Sequence, residues 1–161
     1  TGPYPLSYNG WGDVLVIVFF GFVPVGGTYY VQALTWTPDV TIASLICGLL
    51  IDTLLVVNNY RDREADARSG KRTVIVRFGE KFGRYFYLML GVTASLLCLC
   101  FLREGHFLAA LLPQLYLIPH FLTWKRMVKI YSGKKLNSIL GETSRNMLFM
   151  GVLIAIGMLV S

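Results

Sequence analysis

Five long apolar stretches constrain this chain more than any other feature. They cover about residues 14–34, 40–60, 85–102, 107–124 and 146–160. A run of about 20 apolar residues has the length a helix needs to cross the hydrocarbon core of a bilayer. Inside a bilayer each segment must satisfy its own backbone hydrogen bonds, so the runs imply helices. The expected fold is all-α, a polytopic transmembrane helical bundle of five spans. A hydrophobic share of 55% with mean hydropathy +0.57 excludes an ordinary soluble domain. The last stretch is short for a full crossing and is expected to begin earlier or to be clipped at the chain's end. Pro24 should kink the first span, where Gly21, Gly26 and Gly27 allow a neighbouring helix to approach closely. Residues 1–13 hold Pro3, Pro5, Gly10 and Gly12 and read as a loop.

The basic residues orient the spans. Of the 15 Lys and Arg, eight fall between Arg61 and Arg84 and six between Lys125 and Arg145, leaving only Arg103. The loops 61–84 and 125–145 are separated by two spans, so they lie on one side, together with residues 1–13. The connections 35–39 and 103–106 lie on the other. Basic loops stay cytoplasmic, which places 61–84 in the cytoplasm. Topology accounts for these basic loops, so they do not argue for nucleic acid. No signal-peptide pattern opens the chain, and its first residue is Thr1, which suggests trimming from a longer chain. Cys47, Cys98 and Cys100 lie in apolar runs without metal-ligand spacing and read as buried thiols.

The chemistry-bearing residues gather between Asn58 and Thr73. Asp62 and Asp66 stand four residues apart, on one face if the segment is helical. Two such carboxylates repel, and a shared divalent cation reverses the sign. Magnesium suits the site, because it takes few carboxylates, keeps waters and bridges to phosphates. Lys71 and Arg72 are then candidates for phosphate oxygens, Lys as a point charge and Arg as a fork. The plain alternative is a solvated charged loop. The stretch Gly70-Lys71-Arg72-Thr73 lacks the upstream glycine of a Walker loop.

Asp52 lies inside the second apolar stretch, where a carboxylate is expensive and marks a functional site by default. If the helix continues past Tyr60, then Asp52, Asn59 and Asp66 follow at seven-residue spacing and form a stripe, with Asp52 deeper than the metal. Asp52 would then lie where a substrate ring or tail enters, or it would only support helix packing. A reading from another class makes the chain a piece of a membrane transporter or channel, with Asp52 and His120 in its pathway. A transporter gathers its binding groups near the midplane, whereas the polar residues here cluster at one interface. Tyr29, Tyr30 and Gln32 read more simply as an interfacial belt than as substrate contacts.

The run Asn58-Asn59-Tyr60-Arg61-Asp62, followed by Asp66 and by Gly70-Lys71-Arg72-Thr73, resembles the second aspartate-rich motif of the UbiA superfamily of membrane prenyltransferases. The Asn-Asn-x-Arg-Asp form, with Val76-Arg77-Phe78-Gly79, resembles the 1,4-dihydroxy-2-naphthoate branch, which makes menaquinone precursors. Residues 2–8 with Gly10-Trp11-Gly12-Asp13, residues 27–32, and Thr143-Ser144-Arg145-Asn146 resemble further parts of that branch.

The resemblance implies a nine-helix enzyme with two aspartate-rich motifs, each holding magnesium on one diphosphate. The five spans correspond to helices five to nine, so the first motif and the N-terminal half of the parent are absent. The implied reaction moves a polyprenyl group from polyprenyl diphosphate to 1,4-dihydroxy-2-naphthoate, with loss of carbon dioxide. The implied location is the bacterial inner membrane, with the site facing the cytoplasm. Asp62 and Asp66 are assigned to Mg2+, and Lys71 and Arg72 to diphosphate. Arg61 and Arg63 are diphosphate candidates that also have acids to pair with. Asn59 would orient a metal-bound water. Tyr4 would touch the diphosphate or the acceptor. Arg145 would meet the acceptor carboxylate, or serve as an ordinary positive-inside anchor.

Overall fold

The computed structural model describes residues 6–160. Tyr4 lies outside that range. Among the described residues there is no strand, and five helices are long and apolar enough to cross a membrane. They are α1 (Gly12–Ala33), α2 (Pro38–Arg68), α3 (Val74–Glu104), α4 (Phe107–Ile130) and α5 (Lys134–Val160). The chain is an integral, multi-pass membrane protein.

The helices run well past the apolar stretches. Residues 61–68, 74–84 and 134–145, expected in loops, are almost wholly helical, and the connections shrink to 69–73 and 131–133. Hydropathy marks only the part of a helix that suits lipid. In residues 61–68, Arg, Glu and Ala continue it, because their helix propensities are high. Local stop and start signals then set the ends. Thr37 caps α2 by accepting from Val40 N at 3.3 Å, with Pro38 in the first turn and Asp39 beside the positive helix end. Thr73 caps α3 in the same way, accepting from Val76 N at 3.3 Å. Gly79, at φ 85° and ψ 170°, then interrupts α3 in a conformation that few residues other than glycine adopt. Pro24 sits within a π-helical stretch, Ile17–Gly26. Its missing N–H breaks the regular ladder, and the wider turn absorbs the defect.

Helix α2 is the centre of the bundle. It packs against α1, α3 and α5, while α4 joins α3 to α5. Small residues bring α1 and α2 together. A Cβ on Gly21 would overlap the carbonyl oxygen of Ser44, and one on Gly48 would lie 2.9 Å from Ile17 Cα. The same device seats α4 on α3, where a side chain on Gly91 would overlap the His120 ring. His120 is fully buried. Its ring stacks on Tyr87 and Tyr116, Nδ1 is 2.9 Å from the Tyr116 hydroxyl, and Nε2 is 3.2 Å from the Leu88 carbonyl. With both nitrogens engaged, His120 is a packing residue. Cys98 is buried, Cys47 and Cys100 are half-buried, and all three are free thiols.

Candidate functional site

Helix α2 is unbroken from Pro38 to Arg68, which puts Asp62 and Asp66 one turn apart on the same face. It also completes the stripe Asp52, Asn59, Asp66. The first two are buried and Asp66 is half-buried, so the stripe opens toward the loop.

The end of α2 explains why Gly70 precedes Lys71. Gly70 adopts φ 76°, the left-handed conformation. Gly70 N donates to Ala67 O at 3.2 Å and Lys71 N to Asp66 O at 2.9 Å. These two bonds form the Schellman closure of a helix end. The closure folds Lys71 back along the helix, and its Nζ reaches the Asp66 carboxylate oxygens at 3.3 and 3.2 Å.

Asp62 is held by its chain neighbour. Arg61 Nε donates to Oδ1 at 2.7 Å and Nη2 to Oδ2 at 2.6 Å, a two-pronged fork. A third Arg61 nitrogen donates to the side-chain oxygen of Asn137 on α5 at 2.9 Å, tying the two helices together beside the carboxylates. Arg63 belongs to a different cluster. It lies over the rings of Tyr60 and Tyr131, at 4.6 and 5.0 Å, and pairs with Glu80 at 3.5 Å. Arg84 joins this cluster by pairing with Glu80 at 3.2 Å and donating to the Tyr60 hydroxyl at 2.9 Å. Glu80 also accepts from the Tyr131 hydroxyl, which raises that phenol's pKa.

The first loop closes over this end of α2. Arg72 N donates to Tyr8 O at 2.8 Å, and Arg77 Nη2 donates to Asn9 O at 2.7 Å. Between loop and helix lies a pocket of about 50 Å³ lined by Gly10, Gly12, Asp13, Leu55, Asn59, Lys71 and Thr73. It brings Asn59 and Lys71 together. The Arg72 side chain is exposed, as is Arg145 on α5.

The family model described as the UbiA prenyltransferase family matches residues 1–153. The chain belongs to the UbiA prenyltransferase family. It is 34% identical over 99% of its length to a 1,4-dihydroxy-2-naphthoate octaprenyltransferase of Haemophilus influenzae, covering 52% of that protein. Over 62% of its length it is 41% identical to the Escherichia coli protein of the same name, covering 32% of it. It is 30% identical over its whole length to UbiA prenyltransferase domain-containing protein 1 of Dictyostelium discoideum, covering 48% of that protein. The chain thus spans about half the length of the relatives that it matches throughout. No solved structure matches it.

An apolar groove of about 620 Å³ runs between α2 and α5. Leu50, Ile51, Met147, Gly151 and Ala155 are among the residues that line it. It lies between the two helices that the Arg61–Asn137 bond joins. Among the described residues no group of three or more His, Cys, Asp or Glu is placed to hold a metal ion.

Reading by residue type missed several members of this site. Asn137, Glu80, Arg84 and Tyr131 are brought in by tertiary packing, and no local spacing marks them. Asp13 had a visible signal, since it is a carboxylate at the threshold of an apolar span. It is buried, at 7% exposure, where α1 packs against α2.

Proposed function

We propose that the full-length protein transfers a polyprenyl group from polyprenyl diphosphate to 1,4-dihydroxy-2-naphthoate at the cytoplasmic face of the membrane. The carrying observation is the pairing of both motif carboxylates with a cation, Asp62 with Arg61 and Asp66 with Lys71, at the end of α2, with an apolar groove farther along the same helix, between α2 and α5. Charged head and apolar chain are the two halves of a polyprenyl diphosphate, and the site offers a matching surface for each.

The donor set fits magnesium. Two carboxylates one turn apart, both partly exposed at the open end of α2, suit an ion that takes one or two carboxylates and keeps its waters. Asp62 and Asp66 would hold it, and Asn59 would orient one of its waters. Magnesium supplies charge neutralisation for the departing diphosphate. Lys71 and Arg61 can leave their carboxylates for diphosphate oxygens, with Arg72 and Arg63 as further candidates. Such fixed charges favour the state in which diphosphate charge develops. The allylic C–O bond breaks with its electron pair leaving on the diphosphate. A C–C bond then forms at the ring carbon that carries the carboxylate, and carbon dioxide leaves. The counterpart acidic motif would come from the part of the relatives' length that this chain does not span.

The test gives the full-length protein one polyprenyl diphosphate and two acceptors. The naphthoate should yield a prenylated product lacking the carboxyl mass. Prenylation of 4-hydroxybenzoate with the naphthoate untouched would overturn the choice of acceptor and leave the diphosphate chemistry standing.

A further inference from the structure

Asp13 and Asp52 take no part in the Asp62–Asp66 cluster. The α1–α2 seam sets them level with each other. Gly48 of α2 meets Ile17 of α1 so closely that a Cβ would lie 2.9 Å from Ile17 Cα, and one on Gly12 would lie 3.6 Å from Leu55. One turn before Ile17 is Asp13, and one turn after Gly48 is Asp52, so the antiparallel register brings the two carboxylates together. Asp13 lies within electrostatic reach of Asp52. Asp52 is 0% exposed and Asp13 is 7% exposed. Both oxygens of Asp52 and Oδ1 of Asp13 are buried without a hydrogen-bond partner.

Protein atoms alone leave these oxygens uncompensated. A buried carboxylate without a partner is strongly disfavoured, and two that face each other more so. Lys71, whose side chain lines the adjoining pocket, gives its ammonium to Asp66 instead. We propose that Asp13 and Asp52 form a second divalent-cation site, of the magnesium class, within the α1–α2 seam.

A cation suits the pair better than a proton on three counts. A proton shared between the two carboxyls occupies two oxygens and leaves the third unpartnered, whereas a coordinated ion takes all three. A charge of +2 neutralises both carboxylates, and two carboxylates suffice for an ion that keeps waters. Asp13, though not Asp52, lines the pocket of about 50 Å³, which offers water from the Asp13 side of the pair, since a water needs only about 10–15 Å³ of such volume. Asp52 precedes Asp62 by ten residues, roughly 15 Å along α2, too far for one ion to serve both. This site therefore stands independently of the reaction proposed above. It would lock α1 to α2 beneath the loop that carries Gly10 and covers Asn59.

Mn2+ is the probe, titrated into the full-length protein in detergent without any diphosphate and followed by electron paramagnetic resonance. The wild type should bind one ion that the Asp62→Asn/Asp66→Asn double variant retains. Asp52→Asn should weaken that ion at least tenfold, and Asp13→Asn, at the less buried partner, should do the same if Asp52→Asn does not fold. Unchanged Mn2+ binding in Asp13→Asn or Asp52→Asn would overturn the proposal. So would loss of all bound Mn2+ in the Asp62→Asn/Asp66→Asn variant. A wild type that takes up no Mn2+ in the millimolar range would also overturn it and assign a shared proton to the pair.

Discussion

Lys71 places its ammonium 3.3 and 3.2 Å from the two carboxylate oxygens of Asp66, although five residues separate them. Gly70 makes this possible by turning the chain at φ 76°. A Cβ there would meet nothing within 4 Å, so the requirement is one of backbone conformation and not of space. Gly70→Ala should cost about 1–2 kcal/mol in the left-handed conformation and raise the KM for polyprenyl diphosphate several-fold. Gly70→Asn should lie near wild type, because Asn tolerates this cap. Steady-state kinetics on both variants check it, and equal KM values for Gly70→Ala and wild type would contradict it.

The bundle predicts its own weak points. Gly91→Ala drives a methyl into the His120 ring, and such overpacking should destabilise by about 1–3 kcal/mol. Gly141, also helical, has nothing within 4 Å of its would-be Cβ. Gly141→Ala should be neutral or gain up to about 1 kcal/mol from helix propensity. Thermal unfolding in detergent should place Gly91→Ala below wild type and Gly141→Ala at or above it.

Topology follows from five antiparallel spans and the clustering of basic residues at one set of ends. Arg68 and Lys134 should be cytoplasmic, with Asp39 and Glu104 on the opposite side. Single cysteines at these positions, in a background without Cys47, Cys98 and Cys100, can be labelled in intact cells. Labelling of positions 68 and 134 from outside would reverse the arrangement.

The 161-residue chain by itself should fold yet transfer no prenyl group. Its helices satisfy their own backbone bonds, so a helix face left without neighbours does not unfold them. The acids opposite Asp62 and Asp66 would have to come from elsewhere in the full-length protein. Circular dichroism should show helix, and product analysis with magnesium and both substrates should show none. Sustained turnover by the purified chain would refute this.

The sequence made the five helices legible because lipid imposes one strong rule, an apolar run long enough to span. It did not show where the helices end. Residues 61–68 are polar and read as a loop, but the propensity of Arg, Glu and Ala carries the helix through them; residues 134–145 read as a loop too, and burial of Leu136 and Ile139 in the core holds them helical. The motif from Asn59 to Lys71 was legible because its members are close in sequence and one helix turn spaces them. The roles of its cations were less so. Arg63 faces Tyr60, Tyr131 and Glu80 because three helix ends converge there, and nothing near Arg63 in the sequence marks that. Asp52 stood out as a charge in an apolar run, but the approach of Asp13 to it emerges only from the α1–α2 register.

The central claim is that Asp62 and Asp66 together hold the metal that serves the diphosphate. The direct measurement is magnesium-dependent diphosphate release by the full-length protein carrying Asp62→Asn or Asp66→Asn, with folding confirmed by thermal unfolding. Each variant should turn over at least tenfold more slowly than wild type at limiting magnesium, a barrier increase of about 1.4 kcal/mol or more. Two folded variants that release diphosphate at the wild-type rate, with an unchanged dependence on magnesium, would contradict the account.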